Sequence, residues 1–136
     1  MDVPQDCVDS RAVDYTIKNL GEVEDSAPKY GFGETQEARF AREDLGAEKT
    51  GISYQVVKAG KRQGFAHRHS KDEEIYVVLS GTGRAYLDGD VVELKPLDAI
   101  RIAPHVSRAL EAGDADLELL AFGTHHEDDA ELVKND

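Results

Sequence analysis

One cysteine, Cys7, stands among the 136 residues, so no intrachain disulfide can staple the chain. That scarcity fits a reducing cytoplasm. Long apolar runs are missing too. The longest, Ile75 to Leu79 and Leu119 to Phe122, suit buried strands and fall far short of a membrane span. Positive charge is scarce: 16 Lys and Arg stand against 28 Asp and Glu, for a formal charge of −12. A surface of that sign repels nucleic-acid phosphates and anionic lipid, so neither is expected as a partner. The first six residues, Met1-Asp2-Val3-Pro4-Gln5-Asp6, lack an apolar stretch, and no secretory signal is expected there. No G-x-S-x-G, P-loop or dinucleotide fingerprint occurs. What remains is a chain of a size for one domain, 40% hydrophobic and of globular composition.

The acidity is concentrated at the ends. Residues 1–50 carry 12 acidic and 6 basic side chains, residues 51–123 carry 11 and 9, and residues 124–136 carry 5 and 1. The middle is therefore nearly neutral. Residues 1–49 read as an arm laid against a core or a partner subunit, residues 50–123 as the folded barrel, and residues 124–136 as a solvated acidic tail. Within the arm, Thr35 to Leu45 is compatible with a short helix, although Phe40 also suits a strand. A basic cluster of Lys58, Lys61, Arg62, Arg68 and Lys71 interrupts the trend. It reads either as a draw for an anionic molecule or as lysines guarding a strand edge.

From residue 50 the pattern is that of short strands. Gly51 to Val57 is rich in β-formers and ends at Ala59-Gly60. Phe65 to His69 and Glu74 to Leu79 follow, the latter closed by Ser80-Gly81. Arg84 to Leu87 meets Asp88-Gly89, a two-residue hairpin signal because both residues tolerate positive φ. Val91 to Leu94, Asp98 to Ala103, Arg108 to Glu111 and Leu117 to Phe122 complete the series, with Pro96 and Pro104 as breaks. Many short strands with almost no helix predict an all-β antiparallel sandwich or barrel. Phe65, Val78, Ile100, Ile102, Leu117, Leu119 and Phe122 are the expected core.

The chemistry centres on His67-Arg68-His69. Side chains two apart on a strand share a face, so His67 and His69 can converge on one ion. Glu74 opens the next strand, and its carboxylate can complete a set of two His and one Glu. That set suits Fe(II), Mn(II), Ni(II) or Zn(II). Alternation puts Tyr76 and Val78 beside Glu74 and turns Ile75, Val77 and Leu79 outward. This outward apolar strip needs cover, which predicts a symmetric homodimer. Tyr54 and Tyr76 are candidate pocket residues able to donate a hydrogen bond to a small-molecule ligand. His105 is an optional further ligand that reads more simply as a surface residue, and His125-His126 read as exposed.

The spacing His67-x-His69-x4-Glu74-x6-Gly81 resembles the first motif of the cupin superfamily, and Gly89 through Pro96, Asp98 and Pro104 resembles the second. The resemblance covers roughly residues 50–123 and implies a jelly-roll barrel, often a homodimer, whose pocket commonly holds a metal. Cupins include dioxygenases, isomerases, decarboxylases and non-catalytic binding proteins, so the family leaves open whether this chain is an enzyme. Two positions depart from the pattern. Leu97 stands where a Gly is usual. Arg108 falls where metal-binding cupins place a third His, and a guanidinium cannot ligate a metal. Two readings stand. In one, His67, His69 and Glu74 hold a divalent metal and Arg108 binds a carboxylate of the substrate. In the other, Arg108 pairs with Glu74 in a metal-free, non-catalytic binding or regulatory pocket.

Overall fold

The computed structural model describes residues 14–134, without the side chains of Phe65 and Lys134; Cys7 and the first thirteen residues lie outside it. Ten strands form two five-stranded sheets: β1 Gln36–Phe40, β2 Thr50–Val57, β3 Phe65–His69, β4 Glu74–Ser80, β5 Gly83–Leu87, β6 Asp90–Leu94, β7 Ala99–Ile102, β8 Arg108–Ala112, β9 Leu117–Thr124 and β10 Ala130–Lys134. One sheet runs β1-β2-β9-β4-β7 and the other β10-β3-β8-β5-β6. All pairs are antiparallel. This is the all-β jelly-roll arrangement that the resemblance implies.

Local signals explain most of the turns. Asp88 and Gly89 take φ of +49° and +90°, and Leu87 pairs with Asp90 across them. Both central residues are left-handed, as a type I′ hairpin requires. Gly81 has φ +84°, and a Cβ there would lie 2.1 Å from the Asp116 carbonyl oxygen, so only glycine fits. Leu97, in the position where glycine was missed, is forced to φ +72° with its side chain exposed.

The core lies between the sheets and is built by Tyr76, Val78, Ala85, Ile102, Leu110, Leu117, Leu119 and their neighbours. Ile100 packs against it. Phe122 does not join it. Ala121 and Gly123 point inward, so alternation turns Phe122 to the outer face, where it sits half-buried beside Ile52 and Ile75. Tyr54, Leu120 and Val77 form the next row of the same outer face.

The two flanks contribute strands. Within 35–45, Gln36–Phe40 is an edge strand on β2 and only Arg42–Leu45 is a single helical turn. Pairing with Ser53 to Val57 overrides a local sequence that tolerates helix. Residues 130–134 form β10 and pair with β3, Ala130 opposite His69. The acidic C-terminal segment is thus bound to the strand that carries both site histidines.

Candidate metal centre

β3 and β4 lie in opposite sheets, and the turn between them brings their inner faces together. His67 and His69 share the inner face of β3 because they are two residues apart, and their rings meet edge to face with centroids 5.3 Å apart. Glu74 enters from β4, in a row with Gly123 and Ile102. A Cβ on Gly123 would lie 2.0 Å from the Glu73 carbonyl oxygen, so β9 can approach β4 here only as glycine.

The three expected ligands converge. Glu74 Oε1 is 3.1 Å from His69 Nε2 and 3.5 Å from His67 Nε2. One ligand atom from each of the three lies within 4.8 Å of the other two, a spread one cation can bridge. Burial alone would raise the Glu74 carboxyl, but hydrogen bonds and positive charge from His67 and His69 outweigh it and hold the value at about 2. Tyr76 is buried, with its hydroxyl 3.4 Å from His67 Nε2 and 3.5 Å from Glu74 Oε1. Burial, reinforced by the Glu74 charge, pushes the phenol well above its ordinary value, so it stays a neutral donor.

Arg108 lies across from His67 on β8 and is completely enclosed, at 0% exposure. Its Nη2 donates to the Ala103 carbonyl at 3.1 Å, and Nη1 stands 3.8 Å from Glu74 Oε1. Nε and Nη1 have no hydrogen-bond partner. A buried guanidinium with two unused donors is costly unless a charge compensates it, and Glu74 is the carboxylate within reach. A cavity of about 670 Å³ opens onto the site. His69 and Glu74 border it, with Ser53, Ala121, Arg42 and His126 among its other walls. Arg108, His67 and Tyr76 are not among the described residues that line it.

Tyr54 is not brought to the site. Ser53 and Gln55 face inward and bond to each other, so Tyr54 points outward and donates to Glu118. Burial and that contact raise its phenol to about 12. His105 is exposed and belongs to none of the candidate metal groups among the described residues. The basic cluster does not surround the site either. Lys58 bonds the Gly33 carbonyl, Arg62 stacks 3.7 Å over Tyr86, and Arg68 pairs with Glu131.

Three residues near the site had no clear signal in the sequence. Asp72 and Asp129 are buried carboxylates on the Nδ1 side of His69, at 3.9 and 3.4 Å. His126 is half-exposed, and its Nδ1 lies 2.6 Å from Asp72 Oδ1. Asp72, three residues after His69, was the one visible hint. Asp129 and His126 sat in a segment whose charge reads as solvated.

Comparison with known proteins agrees with this architecture. The Cupin domain family matches residues 53–123. An uncharacterised protein of Methanocaldococcus jannaschii is 29% identical over 89 residues, covering 63% of this chain and 70% of that one. Among solved structures, a cupin protein from Bacteroides fragilis superposes with a TM-score of 0.69 at 24% identity, covering 86% of this chain and 89% of the other. The polyketide cyclase RemF from Streptomyces resistomycificus gives 0.72 at 17% identity, over 89% and 87%. At those identities the likeness speaks for the fold, and the family match covers about half of the chain with both motifs inside it. The chain belongs to the cupin family.

Proposed function

We propose that this cupin binds a small, anionic molecule at a divalent metal held by His67, His69 and Glu74. The observation that supports it most is the convergence of two imidazole Nε2 atoms on one carboxylate oxygen, at 3.1 and 3.5 Å, beside a cavity of about 670 Å³. Fe, Mn, Ni and Zn all suit this donor set. A metal there would supply Lewis-acid polarisation of a bound oxygen. The protein's own residues supply the rest. Tyr76 offers a neutral hydroxyl to a ligand atom near His67. Arg108 adds a fixed positive charge 3.8 Å from Glu74, and with a bound dication it would offset the carboxylates of Glu74, Asp72 and Asp129 around His69. If the chain is an enzyme, it is a metal-dependent one of dioxygenase or isomerase type.

A second reading has its own support: Arg108 Nη1 lies 3.8 Å from Glu74, close enough to neutralise it without a metal. The test is titration of metal-free, untagged protein with Zn(II) and Mn(II), repeated on Arg108→His. The metal-centre reading expects stoichiometric binding by the wild type and tighter binding by the variant. No binding by the wild type supports the metal-free pocket instead.

The outer face of β2, β9 and β4 carries Ile52, Phe122 and Ile75 in one row and Tyr54, Leu120 and Val77 in the next. We propose that a second copy of the chain covers this face, giving a soluble homodimer in the cytoplasm. Among the described residues no helix is long and apolar enough to cross a membrane. Sedimentation at micromolar concentration should report a dimer, and a monomer there rejects the interface.

A further inference from the structure

His69 sits between two sets of carboxylates. Its Nε2 faces Glu74 at 3.1 Å, and its Nδ1 faces Asp129 Oδ2 at 3.4 Å. Nδ1 is fully enclosed and has no hydrogen-bond partner at ordinary bonding distance. Asp129 is itself rigidly held. It lies just ahead of β10, after Asp128 turns the chain at φ +52°. Its carboxylate accepts the backbone N–H of Lys71 at 3.0 and 3.1 Å and that of Asp72 at 2.9 Å. The pairing of Ala130 with His69 fixes the separation of the two residues.

The Nδ1 side could be read as a second cation site, since His69, Asp72 and Asp129 also cluster. Hydrogen-bond accounting favours a proton on Nδ1 instead. Asp129 accepts two backbone N–H groups, that of Lys71 shared between its oxygens and that of Asp72 on Oδ2, which leaves the carboxylate room for one more donor. Both Asp72 oxygens are taken by Thr124 and by His126 through its ring and backbone nitrogens. What these carboxylates lack is no cation; what the imidazole lacks is an acceptor for one N–H. An imidazole bound to a metal through one nitrogen is oriented by a carboxylate on the other, which fixes the tautomer and raises ligand basicity.

We infer that Asp129 is a positioning residue that accepts the Nδ1–H of His69, so that Nε2, the nitrogen facing Glu74, is the one offered to a metal. The consequence for metal affinity rests on the metal-centre reading; the position of the proton does not. The 3.4 Å contact becomes a normal hydrogen bond when the ring and the carboxylate close up and align.

The test is nitrogen-15 NMR of the histidine rings in the full chain, without metal and with Zn(II), on wild type and Asp129→Asn. In wild type His69 Nδ1 carries a slowly exchanging proton in both states. An unprotonated Nδ1 in either state, or Zn(II) bound through Nδ1, overturns the inference. For Asp129→Asn, Zn(II) affinity falls roughly 10- to 100-fold while the circular dichroism of the metal-free protein is unchanged. Affinity within about twofold of wild type, against that expected range, also overturns it. If the variant does not fold, the wild-type spectra still decide. If wild type binds no metal at all, the functional reading fails, and the metal-free Nδ1 signal still decides this inference.

Discussion

Two strand pairs border the site, and they contribute very differently. β3 and β4 deliver two imidazoles, a carboxylate and a phenol to one point. β7 and β8, joined through Pro104, deliver one enclosed guanidinium and leave His105 in solvent. The first pair carries the ligand chemistry. The second carries a buried positive charge 3.8 Å from Glu74, while the histidines of the first hold that carboxyl low against its burial. A site can therefore keep its charge balance on a strand that offers no ligand.

Removing the counter-charge should have the largest effect on stability. Arg108→Ala leaves Glu74 without its buried partner and opens a void, and should cost about 3–5 kcal/mol in metal-free protein by urea denaturation. A loss near zero would mean that Arg108 and Glu74 are not coupled.

Acid sharpens the same comparison from the other side. The folded Glu74 carboxyl at about 2 lies below its ordinary 4.5. Its contribution is complete above the higher value and is lost as pH falls toward the lower one, a change on the order of 3 kcal/mol. Metal-free wild type should thus lose more stability between about pH 6 and pH 3 than Glu74→Gln does. Parallel pH profiles would show that the histidines do not hold the carboxylate down.

The smallest effect belongs to the second pair's approach loop. Leu97 is a branched residue at φ +72°, after Pro96 in a turn closed by Asp98 N–H to the Lys95 carbonyl. Such a residue costs roughly 1–2 kcal/mol, so Leu97→Gly should stabilise by about 1 kcal/mol after the added freedom of the unfolded chain. Destabilisation by thermal denaturation would mean that the exposed side chain has an unseen partner.

Much of this was legible in the sequence because it is local. Asp88-Gly89 states its own turn, and His67, His69 and Glu74 need only strand alternation and a short connection to meet. What was not legible depends on distant pairing. β1 and β10 are edge strands whose partners lie some twenty and sixty residues away along the chain, and nothing in Gln36–Phe40 or Ala130–Lys134 alone specifies them. Asp129 was invisible for the same reason. Tyr54 and Phe122 failed differently. In β2 the inward residues include Ser53 and Gln55, bonded to each other, while Ile52 and Tyr54 face out, so the rule of apolar-in chose the wrong face.

The most direct measurement is elemental analysis of untagged protein, wild type beside Glu74→Gln, after reconstitution with divalent metals. The account predicts one Fe, Mn, Ni or Zn per wild-type chain and none in the variant. Wild-type protein that retains no metal, or a variant that retains as much as wild type, contradicts it.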